Sequence, residues 1–277
     1  MGRFDGCLLA CDVDGTLICG DIFPQPNIEK IAQFVREGGI FSLATGRSVG
    51  AINMVLSHIK EYVGPSVVAN GCMIYDYGKD EIVLNNTMPD DVKLLVFEAA
   101  EKFEGFGIEL HSGWKTFLYK DEPEVRDHQS YEGLNGKVAT RQEVEPLGWN
   151  KALFTNQNPD EHQKIDEFFK KRTKKAVCVP TNADIYGRKR HYREILPVGI
   201  NKASALKYLC GFLKIKKGGF FAIGDYLNDI SMLKIADISA CPQNSPDEVR
   251  AVCDFHTTPA ENGAVADFID YLMSKEI

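Results

Sequence analysis

The sequence predicts an α/β fold: a doubly wound, mostly parallel core sheet with an α+β domain inserted into it. Three observations lead there. Over residues 1–86, short apolar runs alternate with segments of helical period, the pattern of a parallel sheet. The same alternation resumes over 197–277. Between them, over 87–196, strand-like runs crowd together with fewer helices, which is the texture of a separate domain. The expected organisation is a core made of 1–86 and 197–277 and an insert made of 87–196. A chain of 277 residues is long enough for two such domains.

In chain order, Cys7 to Cys11 is a continuous apolar run, as expected of a strand covered on both faces. Asn27 reads as a helix cap, with Ile28, Ile31, Ala32 and Val35 on one face and Gly38-Gly39 as the stop. Ile40 to Ala44 is the next strand. Ser48 opens a helix with the stripe Ile52, Val55, Leu56 and Ile59. Val67 to Ala69 is a third strand. Met73-Ile74-Tyr75 and Ile82-Val83-Leu84, separated by Gly78-Lys79-Asp80, form a hairpin.

In the insert, Pro89 starts a helix whose face is Val92, Leu95, Val96, Ala99 and Phe103. Strand-like runs follow at 107–110, 116–119, 152–154, 176–179, 184–186 and 192–195, with a helix over Glu161 to Arg172. Beyond it come a helix over Lys202 to Leu213, a strand over Phe220 to Ile223, a helix from Asn228, a short strand over Ile238 to Ala240, and a terminal helix on Val265, Phe268, Ile269 and Leu272.

Composition narrows the function. Hydrophobic residues make up 44% and charged residues 26%, the balance of a soluble globular chain. The net charge of -7 argues against a nucleic-acid binder, which needs a basic face. The one dense basic run, Lys170 to Lys175, suits a solvated helix end. No stretch approaches the roughly 20 apolar residues of a membrane span, and the first residues lack a signal peptide, so the cytoplasm is expected and no membrane partner. Eight cysteines include no Cys-x-x-Cys pair and read as reduced structural thiols.

Chemistry gathers where the strands end. The apolar runs of the outer thirds deliver Asp12, Thr45, Asn70 and Asp225 in turn. In open α/β sheets ligands bind beyond the carboxyl ends of the strands, so these groups should converge. Asp12 and Asp14 in Asp12-Val13-Asp14-Gly15-Thr16-Leu17, with Asp225 and Asp229 in Gly224-Asp225-Tyr226-Leu227-Asn228-Asp229, supply four carboxylates. Like charges so close call for a divalent cation, and few carboxylates with phosphate oxygens suit Mg2+. Phosphoryl transfer needs mainly positioning and charge neutralisation. A carboxylate serves as nucleophile, and a second as general acid and base. Lys202 and Thr45 are the candidate cation and hydroxyl flanking the phosphoryl oxygens.

These residues carry a resemblance. Asp12-Val13-Asp14-Gly15-Thr16-Leu17 resembles the first motif of the haloacid dehalogenase-like superfamily. Ala44-Thr45-Gly46-Arg47 is similar to the second, Lys202 after Gly199-Ile200-Asn201 to the third, and Gly224-Asp225-x-x-Asn228-Asp229 to the fourth. The Thr-Gly-Arg form, Asn70-Gly71 and the insert between motifs two and three resemble the Cof-type sugar-phosphatase branch. The resemblance implies a Rossmann-like core with an α/β cap that sets substrate specificity.

It further implies Asp12 as nucleophile and Asp14 as general acid and base. Thr45 would hydrogen-bond the phosphoryl group and Lys202 would neutralise it, with Gly46, Arg47, Asn70 and Asn228 as further substrate-binding candidates. Asp12, Asp225 and the main-chain carbonyl of Asp14 would hold Mg2+, with Asp229 behind them. The implied reaction is hydrolysis of a small phosphorylated metabolite, a sugar phosphate, through an aspartyl-phosphate. A phosphomutase using the same intermediate and a non-catalytic phosphate-binding or regulatory protein are the alternatives. One departure is Ala240-Cys241-Pro242-Gln243-Asn244-Ser245, where the branch has a glycine before its asparagine. In the insert, Arg188-Lys189-Arg190-His191 reads as a charged hairpin turn or an anion contact, and Trp114, Tyr119 and Trp149 as core or as sugar-stacking rings.

Overall fold

The structure, a computed structural model, describes residues 2–20, 22–185 and 188–276. Its contacts divide the chain into a core unit, 1–46, 53–84 and 201–277, and an inserted unit, 47–52 and 85–200.

The first stretch of the core unit holds β1 (Leu8–Cys11), α1 (Gln25–Arg36), β2 (Ile40–Leu43), α2 (Asn53–Ile59), β3 (Ser66–Val68), β4 (Met73–Asp76) and β5 (Glu81–Asn85). The inserted unit follows with α3 (Asp90–Lys102), β6 (Gly107–Ser112), β7 (Lys115–Lys120), α4 (Pro123–Glu132), β8 (Lys137–Val138), α5 (Arg141–Val144), β9 (Lys151–Thr155), α6 (Pro159–Arg172), β10 (Ala176–Ile185) and β11 (Arg188–Pro197). The chain returns to the core unit with α7 (Lys202–Leu213), β12 (Phe220–Ile223), α8 (Ile230–Leu233), β13 (Ile238–Pro242), α9 (Asp247–Arg250), β14 (Phe255–Thr257) and α10 (Ala264–Met273).

The core sheet runs in the order β14-β13-β12-β1-β2, and every neighbour pair in it is parallel. β1 lies inside the sheet, between β12 and β2, and is wholly buried, as its continuous apolar run requires. Helices α1 and α10 pack together on one side, while α7 and α8 close over Leu8, Ala10, Phe220 and Ala222 with Leu206, Leu209, Met232 and Leu233. Isolated parallel bridges at Phe41–Val63 and Ala44–Val67 link the β2 segment to the chain around β3, which then pairs antiparallel with β4.

Several local expectations are corrected. The helix expected to be capped by Asn27 begins at Gln25, because Pro24 and Pro26 start it; proline is preorganised for a first turn. Asn27 is instead buried inside α1. Its Nδ2 donates to the Leu17 carbonyl at 3.0 Å and its Oδ1 accepts from the Ala266 N–H at 2.9 Å, tying α1 to the loop after β1 and to α10. The helix expected from Ser48 starts as a 3₁₀ turn at Gly50–Ile52, and α2 proper begins at Asn53. The apolar runs at 176–179 and 184–186 belong to one strand, β10, although Tyr186 lies outside the described residues. β10 tolerates Pro180 because it is an edge strand.

The six-stranded sheet of the inserted unit has the order β10-β11-β9-β6-β7-β8. One face carries Ile108, Leu110, Ala152, Phe154 and Ile195 against α3 and α6. Trp149 is wholly buried in this core and donates its Nε1–H to the Val144 carbonyl at 2.8 Å, whereas Trp114 is exposed. Alternation sends Glu109 and His111 to the opposite face, where α4 packs on β6. Three residues of the basic run at the end of α6 make ion pairs within this unit: Lys171 with Glu167 at 2.9 Å, Arg172 with Glu98 at 2.6 Å and Lys175 with Asp91 at 2.8 Å. All eight cysteines are free thiols.

Candidate active site

β1 runs into Asp12, whose N–H still donates to the Ile223 carbonyl at 2.9 Å, so pairing with β12 holds the carboxylate at the sheet edge. β12 in turn ends at Gly224 and Asp225. The turn after β1 needs Gly15 (φ +80°): a Cβ there would lie 2.5 Å from Asp225 Oδ2, so the two loops approach as closely as only glycine permits.

Oxygens of Asp12, Asp225 and Asp229 lie within 4.8 Å of one another. The Lys202 ammonium donates to Asp12 Oδ1 at 2.6 Å and to Asp229 Oδ1 at 2.5 Å. Asp229 Oδ2 accepts the N–H groups of Asp225 at 3.1 Å and Tyr226 at 3.0 Å. Thr16 Oγ1 donates to Asp225 Oδ1 at 2.8 Å.

Three carboxylates against one ammonium leave negative charge in excess. Burial pushes the Asp12 carboxyl well above its usual range, and the charges of Asp229, Asp225 and Asp14 add to this against the pull of Lys202. Burial, then the Asp229 charge, pushes Asp225 up to about 6 against the Thr16 hydrogen bond. Burial opposes the charge on Lys202, but Asp12 and Asp229 outweigh it and hold the ammonium above its usual range. A hard divalent cation relieves this strain, and a cluster of oxygen donors with surplus negative charge fits one.

Lys202 opens α7, where the helix dipole disfavours a cation. A capping box fixes that end: Asn201 Oδ1 accepts from the Ser204 N–H at 2.9 Å, and Ser204 Oγ accepts from the Asn201 N–H at 3.0 Å. Gly71 (φ +101°) lets the loop after β3 press on this cap, because a Cβ there would stand 2.2 Å from the Asn201 carbonyl oxygen.

A second polar group forms after β2 and β3. Buried Thr45 donates its N–H to the Val67 carbonyl at 2.9 Å and accepts the Asn70 N–H at 3.0 Å. Asn70 adopts a left-handed conformation (φ 54°), which asparagine tolerates. Asn228 Nδ2 donates to Asn70 Oδ1 at 3.4 Å, and Gly46 abuts the Asn70 amide. The Asp14 side chain is exposed, on a turn closed by a bridge between Asp14 and Ile18.

Arg47 is the one predicted site residue that groups with the inserted unit. Its Nη1 donates to the Ala51 carbonyl at 3.0 Å and its guanidinium lies 6.0 Å from the Tyr131 ring centroid. Asn244 is exposed in a turn where the Ser245 N–H reaches the Pro242 carbonyl at 3.0 Å. Sequence reasoning missed the roles of Thr16 and Gly71. Both stand inside the motifs that pointed to their neighbours, but nothing in the motif shows which atoms they touch.

A family model described as haloacid dehalogenase-like hydrolase matches residues 9–269. The chain belongs to the haloacid dehalogenase-like hydrolase family. Within it this hydrolase falls in the Cof-type branch, and it is an enzyme of the phosphatase kind. It is 25% identical to a 5-amino-6-(5-phospho-D-ribitylamino)uracil phosphatase of Bacillus subtilis, over 96% of this chain and 98% of that one. It is 23% identical to an HMP-PP phosphatase of Serratia proteamaculans, over 82% and 80%. A solved haloacid dehalogenase-like hydrolase from Bacteroides thetaiotaomicron shares the fold, with a TM-score of 0.85 at 22% identity, over 96% of this chain and 99% of that one.

Proposed function

We propose that this hydrolase is a Mg2+-dependent phosphatase that cleaves a small phosphorylated metabolite, a sugar phosphate, through an aspartyl-phosphate on Asp12. The observation that carries the reading is the Lys202 ammonium shared between Asp12 and Asp229, beside Asp225. It pairs a strand-end nucleophile with a fixed positive charge and leaves carboxylate oxygens for a cation.

Asp12, Asp225 and the main-chain carbonyl of Asp14 would hold Mg2+, which when bound neutralises phosphoryl oxygens and keeps the crowded carboxylates ionised. Asp229 fits a supporting role, since Lys202 occupies one of its oxygens and two backbone N–H groups the other. A carboxylate oxygen of Asp12 attacks phosphorus while the bond to the leaving oxygen breaks, and Asp14 donates the proton that oxygen needs. Asp14 then takes a proton from water. The water oxygen attacks phosphorus, the bond to Asp12 breaks, and inorganic phosphate leaves. Thr45 and Lys202 stabilise the phosphoryl oxygens, with Gly46, Asn70 and Asn228 beside them. The inserted unit acts as the cap that selects the substrate, and Arg47 joins in binding it. The phosphatase names of the relatives support this reading.

The test is Asp12→Asn. An amide is not a nucleophile, so turnover of a panel of sugar phosphates should fall by roughly 10³-fold or more while the circular dichroism spectrum is kept. Near-wild-type phosphate release from that variant excludes the covalent route.

A further inference from the structure

Thr16 is wholly buried, and its hydroxyl joins the loop after β1 to the loop after β12, 209 residues away. A hydroxyl carries one proton, and here it is donated to Asp225 Oδ1. The three clustered carboxylates are held very differently. Asp229 has Lys202 on one oxygen and two N–H groups on the other, and Asp12 has Lys202 on Oδ1. Asp225 is the partly exposed one; Thr16 is the hydroxyl that pins its Oδ1, and the Asp12 carboxyl also reaches it.

The way a carboxylate is pinned bears on which cation it prefers. With one oxygen engaged it offers the other singly; released, it can turn and offer both. Mg2+ demands compact octahedral coordination by single oxygens, whereas the larger Ca2+ accepts two oxygens from one carboxylate. We propose that Thr16 is a positioning residue that holds Asp225 in its one-oxygen orientation and so sets both the affinity for Mg2+ and the preference for Mg2+ over Ca2+. This rests on the metal-dependent reading above.

The experiment is calorimetric titration of the metal-free full chain with MgCl2 and with CaCl2, in wild type, Thr16→Val and Thr16→Ser, with melting temperatures recorded without metal. Valine keeps the shape and removes the donor. Hydrogen bonds to charged groups are strong, so Thr16→Val should bind Mg2+ roughly tenfold or more weakly. Ca2+ affinity should fall less, which lowers the ratio of the two. Thr16→Ser should keep the wild-type ratio. If Thr16→Val does not fold, Thr16→Cys, a weaker donor, should give an intermediate ratio. An unchanged ratio in Thr16→Val or Thr16→Cys, or a lost one in Thr16→Ser, overturns the role of Thr16 alone. Wild-type protein that binds neither cation overturns the metal-dependent reading with it.

Discussion

Lys202 places a full positive charge at the first position of α7, where the helix end is already positive. It is tolerated because Asp12 and Asp229 lie within 2.6 Å of its ammonium and almost no water reaches any of the three. Such an ion pair adds little stability compared with apolar packing, but removing one partner strands the others. Lys202→Met should therefore cost about 3–5 kcal/mol in urea unfolding, because two buried carboxylates lose their counter-ion. Added Mg2+ should restore part of that loss, since it supplies charge at the same cluster. A variant as stable as wild type without metal shows that the carboxylates are protonated or hydrated instead.

At the scale of the element, α4 is the informative helix. It offers the sheet of the inserted unit few apolar groups: Val125 is buried, and beside it are His128 and Gln129. Both reach Glu109 of β6, with His128 Nδ1 2.9 Å from Glu109 Oε2 and the Gln129 amide donating to Oε1. His111 Nε2 lies 3.3 Å from the same carboxylate. Burial opposes both charges of the pair. His128 and His111 together nevertheless outweigh it and hold Glu109 below the usual carboxylate range, as Glu109 with Glu132 outweighs it and holds His128 above the usual imidazole range. A histidine raised on folding stabilises below its unfolded value near 6.5, and that contribution is lost as pH rises through the folded value. The amides of 124–132 should lose hydrogen-exchange protection as pH rises above the ordinary imidazole range, once intrinsic exchange is corrected for. His128→Gln should abolish the step. A step that persists in that variant assigns it to a group other than His128.

For the molecule as a whole, the two units have separate hydrophobic cores, one around Leu8, Leu206 and Phe220 and one around Phe97, Trp149 and Phe154. Both tryptophans belong to the inserted unit, and the carboxylate cluster belongs to the core unit. Binding stabilises the unit that binds by mass action. Added Mg2+ should therefore shift urea unfolding followed by far-ultraviolet circular dichroism to higher denaturant, while the tryptophan-fluorescence transition moves less. Coincident transitions that shift together show that the units unfold as one.

Much of this was legible in the residues. Continuous apolar runs marked β1 and β12, because a strand buried on both faces has no polar side to show. Polar residues placed just past those runs, Asp12, Thr45 and Asp225, sit at the strand ends, where an open parallel sheet collects its ligands. Weaker signals failed for physical reasons. β14 is three residues long with an exposed histidine at its centre, and α4 buries polar groups, so neither has an apolar stripe to read. What tertiary structure alone decided are contacts between residues far apart in the chain. Asn27 joins Leu17 to Ala266, Thr16 grips Asp225, and Gly71 makes room for Asn201. Periodicity reports which side of an element meets the core. It carries no record of which atom meets which, because that depends on how loops hundreds of residues apart close on one another.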